Sequence, residues 1–294
     1  MSGCSWWDRS TGFALLTIVL WASLAALTSR VTSMSPLVLV GLVLFFCGVG
    51  ALPFWRQWRA RPITWLVTVT ALLLYHLLLF MSFRHAPVLE ANLINYLWPL
   101  CIILFTPLLL PGHPLHARHL LAGAFGLAGS MLVMVNGELQ LQQAYLPGYL
   151  LALGAAVVWG AYSVLSRRLP PAPAVVTAAA CLPAGLLALL LARLLEGPLP
   201  LAQIPTSDWS LIIGLALGPM GAAFVTWYLA LRDGDPRRIG ALAYLTPLLS
   251  TLLLVALNGE ELTSRHLLAG ALIMGGALLG MLGQRNSAQV SPAS

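Results

Sequence analysis

Two short phrases occur twice in this 294-residue chain. Tyr96-Leu97-Trp98-Pro99-Leu100 returns as Tyr244-Leu245-Thr246-Pro247-Leu248, and Arg118-His119-Leu120-Leu121-Ala122-Gly123 returns as Arg265-His266-Leu267-Leu268-Ala269-Gly270. The copies stand 148 (96 to 244) and 147 (118 to 265) residues apart, so one half of the chain is a diverged copy of the other. The medium in which the halves pack follows from composition. With 59% hydrophobic and 8% charged residues, water could not solvate the chain as a globular protein. An all-α integral membrane protein is expected, one membrane domain with a first repeat over 1–140 and a second over 141–294.

A bilayer core about 30 Å thick needs about 20 apolar helical residues. Ten such stretches are predicted, near 12–30, 36–54, 64–83, 88–110, 119–136, 146–167, 173–194, 209–231, 238–257 and 266–283. Pro36, Pro62, Pro87, Pro147 and Pro173 stand at or near helix starts, where no amide proton is needed. The first stretch is too long for a signal-peptide core and lacks a preceding basic cluster, so it reads as a retained helix.

The net charge of +6 comes entirely from arginine, the chain having no lysine. A nucleic-acid partner is not expected, because the arginines sit between apolar runs. With a cytoplasmic N-terminus, Arg9, Arg56, Arg59, Arg61, Arg118, Arg167, Arg168, Arg232, Arg237, Arg238 and Arg285 lie inside, and Arg30, Arg84, Arg193 and Arg265 outside. Eleven against four obeys the positive-inside rule and puts both termini in the cytoplasm. Glu138, Glu196, Asp208, Glu260 and Glu261 fall on the outer side. Cys4, Cys47, Cys101 and Cys181 have no metal-ligand spacing and read as ordinary thiols.

The repeated phrases fall in helices four and nine and at the starts of helices five and ten, giving five helices per repeat. Five is odd, so the second copy enters the membrane from the opposite face and the pair has inverted topology. Trp21 in helix one matches Trp159 in helix six in the same way.

Ten helices in two repeats, mid-span prolines in helices four and nine, and glycine-rich helices five and ten resemble the drug/metabolite transporter superfamily in its EamA-like branch. Within that group, Glu90-Ala91-Asn92-Leu93-Ile94-Asn95-Tyr96-Leu97-Trp98-Pro99-Leu100 is similar to the exporters of aromatic amino acids. The resemblance implies a multi-pass exporter of the bacterial inner membrane working by alternating access. Its substrate would be an aromatic or other neutral amino acid, and its other partner membrane lipid. It leaves open a monomer or a homodimer, and facilitated diffusion or proton antiport.

Polar and aromatic residues inside the spans mark candidate sites, because hydrocarbon does not satisfy them. On an unbroken helix Asn92, Asn95, Tyr96, Trp98 and Pro99 fall within an arc of about 160°. Pro99 and Pro247 leave the carbonyls of Asn95 and Ala243 without their helical donors. On helix six, Trp159, Tyr162, Ser163 and Ser166 recur at helical spacing, and Trp21 and Thr28 echo them in helix one. Tyr75 and His76 lie mid-span in helix three, Trp227 and Tyr228 in helix eight, and Tyr244 in helix nine. Indole and phenol rings stack on planar ligands, which suits an aromatic amino acid. Trp55, Trp58, Trp65 and Trp209 lie at span ends and read as interfacial anchors. A cavity lined by helices one, three, four, six, eight and nine is therefore expected.

Glu90, in the first turn after Pro87 and near Arg84 and His85, reads as a helix cap or outer-mouth ion pair, with proton coupling as the other reading. His113, His116 and His119 read as a solvated turn rather than a metal tract. Gly123, Gly126 and Gly129 in helix five, Gly214, Gly218 and Gly221 in helix eight, and Gly276 and Gly280 in helix ten permit close helix contact, the last pair also suiting a dimer. Pro219, flanked by Gly218 and Gly221, reads as a hinge.

No cofactor or metal is expected, and no catalytic residue. A carrier of phosphate esters would need Lys or Arg within the cavity, where the chain has none. An intramembrane enzyme would need a base and nucleophile at membrane depth, and no spacing supplies His76 with such a partner. Export of a different small metabolite within the same superfamily is the remaining alternative.

Overall fold

The chain's apolar runs become helices because hydrocarbon leaves a backbone N–H or C=O no partner outside its own segment. The computed structural model describes residues 8–28, 30–135, 141–258 and 263–281. Among these, nine helical stretches are long and apolar enough to cross a bilayer: Arg9–Thr28, Pro62–His85, Val88–Leu109, Ala117–Met134, Gln143–Leu165, Val175–Glu196, Thr206–Asp233, Pro236–Leu257 and Ser264–Met281. The second apolar run is shorter than expected. Its helix, Pro36–Gly50, has 15 residues and passes at Ala51 into the 3₁₀ segment Leu52–Gln57, which holds Pro53 and so cannot extend the helical ladder. In chain order these are helices one to ten. Arg285, Glu138, Glu260, Glu261 and Cys4, and the expected ends of helices five and ten at 136 and 283, lie outside the described residues.

Three helices are interrupted where the sequence carries proline. Helix four divides into Val88–Asn95 and Trp98–Leu109, two residues before Pro99 taking their amides out of register. Leu97 N–H donates to the Ile94 carbonyl at 3.0 Å, a tightened i−3 turn. Helix nine breaks at Tyr244, between Pro236–Ala243 and Leu245–Asn258, so the repeated Tyr-Leu-Xaa-Pro phrase bends both helices alike. Helix eight widens into a π-helical segment, Ala216–Ala222, around Pro219.

Helices two and seven lie along one another, as do helices five and ten. Helix three packs on six, one on eight, four on six, one on nine, and four on nine. Without a hydrophobic drive between helices in lipid, these contacts depend on close packing at small residues. A Cβ on Gly185 would run into the backbone nitrogen of Phe45 and come within 2.8 Å of the Gly41 carbonyl oxygen, so helices two and seven touch backbone to backbone there. A Cβ on Gly276 would lie 2.7 Å from the Ala122 carbonyl oxygen, and one on Gly280 2.8 Å from Ala241 Cβ. These two glycines are thus occupied within the chain rather than offered to a second copy. In helix eight Gly221 is crowded by its own π segment, a Cβ there lying 2.7 Å from the Ala216 carbonyl oxygen, and meets helix two at ordinary contact distance, 3.7 Å from Cys47 Sγ. Gly214 meets nothing within 4 Å and Gly218 only Leu20 at 4.0 Å, so neither serves the close contact expected of it.

The second repeated phrase is a helix cap. His119 Nδ1 accepts the His116 N–H at 3.2 Å, and His266 Nδ1 accepts the Thr263 N–H at 3.1 Å, satisfying an otherwise orphaned amide at the start of helices five and ten. His119 is accordingly buried, while His113 and His116 remain accessible.

Ion pairs tie the arginine-rich ends together. Arg238 pairs with Asp8 at 3.3 Å and bonds Thr11, joining helix nine to helix one. Arg237 pairs with Asp235 at 2.5 Å and donates to the Pro114 carbonyl, and Arg167 donates to the Gly234 carbonyl at 2.6 Å. At the other end Arg84 pairs with Glu196 at 3.4 Å, Ser35 donates to the same carboxylate, and Ser33 donates to Asp208 at 2.6 Å.

Burial pushes the Asp235 carboxyl up, but the hydrogen bonds and charge of Arg237 outweigh it and hold the group below the ordinary value. A lowered folded value contributes stability above the unfolded pKa of about 3.9, lost as pH falls through the folded value. Asp235→Asn should therefore melt below the parent at pH 7, with the difference closing between about pH 4 and pH 2 in a thermal melt in detergent. Gly185→Ala should cost about 1–3 kcal/mol by overpacking and lower the melting temperature, whereas Gly214→Ala should leave it unchanged or raise it.

Candidate functional site

Helix breaks and aromatic packing leave one mixed polar and aromatic cavity near the middle of the bundle, of about 210 Å³. That is below the roughly 300–1,000 Å³ of drug-sized pockets and suits one small molecule. Helix one contributes Trp21 and Leu24; helix three Tyr75, His76, Leu79 and Phe80; helix four Asn92, Asn95, Tyr96 and Trp98. Helix six contributes Trp159, helix eight Met220 and Phe224, and helix nine Thr246 and Ser250. The break at Tyr96-Leu97 keeps the helix-four residues on one wall although the helix is not continuous.

Four indoles from four helices close the arginine-rich side of this cavity. Trp21 stands at the centre, with ring centroids 5.1 Å from Trp227, 5.8 Å from Trp98 and 6.0 Å from Trp159. Trp98 meets Trp227 edge-on at 5.5 Å. Tyr75 lies against Trp159 at 5.2 Å and against His76 at 4.9 Å. Flat ring faces and edges are thus presented around a space that also holds a few polar atoms.

Those polar atoms are few and specific. Nδ1 of His76 lies 2.7 Å from the Leu72 carbonyl oxygen, which can only accept, so Nδ1 carries a proton, and whenever the ring is uncharged Nε2 is its acceptor. Asn95 Nδ2 donates to Tyr75 Oη at 3.4 Å. Asn95 Oδ1 and Thr246 Oγ1 are buried and have no hydrogen-bond partner. A buried polar atom left unpaired costs about 1–3 kcal/mol, so these two are the atoms best placed to gain from a bound polar ligand.

Four of the residues expected in the cavity stand elsewhere. Trp227 lies behind the indole cluster, its Nε1 donating to Ser163 Oγ at 3.1 Å, so both are spent on each other in a buried pair. Tyr162 lies beyond Trp159, its hydroxyl 3.5 Å from Thr68 Oγ1, beside spaces of about 10 Å³ edged by Ser166, Thr177 and Tyr228. Tyr244 is fully buried, its ring occupying the position that a Cβ on Gly126 would take. Pro99 faces helix nine, where a Cβ on Gly240 would meet its carbonyl oxygen at 2.9 Å. Pro219 and Pro247 stand in the π segment and just past the Tyr244 break, not in the cavity wall.

Glu90 makes no ion pair among the described residues, and its Oε2 is buried without a partner. Arg84, expected beside it, pairs instead with Glu196, and His85 is exposed at the end of helix three. Cys47, Cys101 and Cys181 are free thiols.

Phe80, Met220 and Phe224 carry no polar signal, and Ser250 lines the cavity as a mid-span hydroxyl that was not among the expected site residues. A register could have found three of them. Trp65 and Trp209 open helices three and eight 144 residues apart, and the same offset carries His76 to Met220 and Phe80 to Phe224. All four of these residues line the cavity.

Residues 10–135 and 146–282 match the EamA-like transporter family. The chain is 35% identical over 288 residues to the aromatic amino acid exporter YddG of Ancylobacter novellus, covering 94% of this chain and 98% of that protein. A solved crystal structure with 35% identity superposes at a TM-score of 0.85 over 92% of this chain and 95% of the other. Multiple apolar spans, a central cavity and these matches lead to one conclusion: the chain belongs to the EamA-like transporter family.

Proposed function

We propose that this protein exports aromatic and other neutral amino acids across the bacterial inner membrane. The observation that carries the reading is the cavity itself, where indole and phenol rings surround the unpaired Asn95 Oδ1 and Thr246 Oγ1 and the acceptor nitrogen of His76. Rings stack on an aromatic side chain, while acceptors meet an ammonium group. The name of the 35% identical relative agrees with that chemistry.

Transport follows from two five-helix halves, 1–140 and 141–294, related by an inverted repeat. Three findings support this relation. The family matches fall in two stretches, 10–135 and 146–282. Helices four and nine break at the same residue of the same phrase. The packing is also preserved when each helix is exchanged for the one five later: three on six becomes eight on one, four on six becomes nine on one, and two on seven, five on ten and four on nine map onto themselves. Such a pair has two equivalent arrangements, which expose a central site to opposite sides in turn. In the arrangement described, the ties of Arg238, Arg237 and Arg167 close the arginine-rich end. That end faces the cytoplasm by the positive-inside rule, with both termini on that side.

Saturable uptake of labelled phenylalanine, tryptophan or threonine into protein-containing liposomes tests the reading. Flux above that of empty liposomes, competed by unlabelled aromatic amino acids, is expected; no saturable flux for any of the three contradicts it. Repeating the assay with a pH gradient separates antiport from facilitated diffusion. Trp98→Ala and Trp159→Ala should lower uptake at least tenfold at equal protein levels, and Trp58→Ala less than twofold. Equal loss in all three variants would remove the cavity from the pathway.

A further inference from the structure

A groove larger than the central cavity lies on the outer face of helices three and seven. It measures about 520 Å³ and is walled by Trp65, Leu66, Val69, Leu73, Leu77 and Pro183. Its wall is accessible, with Leu66 64% exposed, and Thr70 supplies its one side-chain hydroxyl, so it faces hydrocarbon and not water. From Trp65 to Leu77 helix three rises about 18 Å, close to the roughly 15 Å depth of one leaflet's hydrocarbon. The groove thus runs from the interface to about mid-bilayer.

Its interfacial end carries unneutralised charge. The connection Ala51–Trp65 holds Arg56, Arg59 and Arg61 and no acidic residue. Arg56 lies over the Trp55 ring at 5.7 Å, while Arg59 and Arg61 are exposed and make no ion pair among the described residues. The connection between helices eight and nine is different, since Arg232, Arg237 and Arg238 each pair with an aspartate. Trp65 sits at the mouth between charge and groove, its ring 6.0 Å from Trp58, whose Nε1 is fixed by the Ala51 carbonyl at 3.2 Å. A cationic pair, a tryptophan at the interface and an apolar channel one leaflet deep together match one ligand.

We propose that this groove is a binding site for an anionic phospholipid of the leaflet on the arginine-rich side. One acyl chain lies along helix three against Pro183, and the phosphate is held by Arg59 and Arg61. The site is separate from the central cavity and does not depend on which substrate that cavity takes.

The test uses the full-length protein in phosphatidylcholine vesicles containing increasing fractions of dibrominated phosphatidylglycerol or dibrominated phosphatidylcholine. Bromine quenches a tryptophan only at close range, and the readout is the emission that disappears in Trp65→Phe. This emission should be quenched by both lipids, with a relative affinity for phosphatidylglycerol roughly fivefold or more above phosphatidylcholine. In Arg59→Gln/Arg61→Gln, whose changes are exposed, the two quenching curves should coincide. Coincident curves in the parent protein would overturn the anionic site, and absence of quenching by either lipid would overturn occupation of the groove.

Discussion

Everything at the centre of this molecule rests on the mutual burial of Trp21, Trp98, Trp159 and Trp227. Each comes from a different helix, two from each half of the chain, and the contacting centroids lie 5.1 to 6.0 Å apart. In lipid the hydrophobic effect does not draw helices together, so packing of large polarisable rings contributes directly to association. Edge-on and tilted aromatic pairs add about 0.5–1.5 kcal/mol each beyond area burial. The cluster fixes where helices one, four, six and eight meet, and its upper surface becomes the wall of the cavity. Its one buried donor on the far side, Trp227 Nε1, is satisfied by Ser163, which makes it a stable partition.

The two sides of this partition differ in the space around their polar groups. On the far side the hydroxyls of Tyr162, Thr68 and Ser166 pair with neighbours, and Thr64 Oγ1 is buried without a partner, around almost no free space. On the cavity side Asn95 Oδ1 and Thr246 Oγ1 remain unpaired beside an open volume. What separates the two sides is free volume, about 10 Å³ beside the far-side hydroxyls against about 210 Å³ in the cavity. The ion pairs at the arginine-rich end lie beyond the packed side, so closure of that end and the openness of the cavity belong to one arrangement of the chain.

Much of this was legible before any coordinates. Duplication could be read from ten residues of repeated phrase, and the six helices that line the cavity from buried polar and aromatic positions. The limits were physical. An unbroken helix was assumed through Tyr96, whereas the tightened turn there changes which neighbours each residue meets. Tyr244 looked equivalent to Tyr96, yet it fills the gap beside Gly126; 147 positions after Gly126 stands Ile273, and Tyr96 lines the cavity instead. Gly240 and Ala243 replace Asn92 and Asn95 in the second copy because that stretch is packed, Gly240 on the Pro99 carbonyl and Ala243 fully buried. The polar wall is therefore one-sided. No local pattern distinguishes a tyrosine that lines a cavity from one that fills a glycine gap on another helix.

The most direct test of the central claim is fluorescence from the indole cluster during titration with phenylalanine, which does not itself absorb at the tryptophan excitation edge. In a variant with the six other tryptophans, Trp6, Trp7, Trp55, Trp58, Trp65 and Trp209, changed to phenylalanine, the account predicts a saturable change in emission that is lost on adding Trp98→Phe and Trp159→Phe. A change present in the parent protein but absent once those six tryptophans are replaced would show that the ligand binds elsewhere, and would contradict the account.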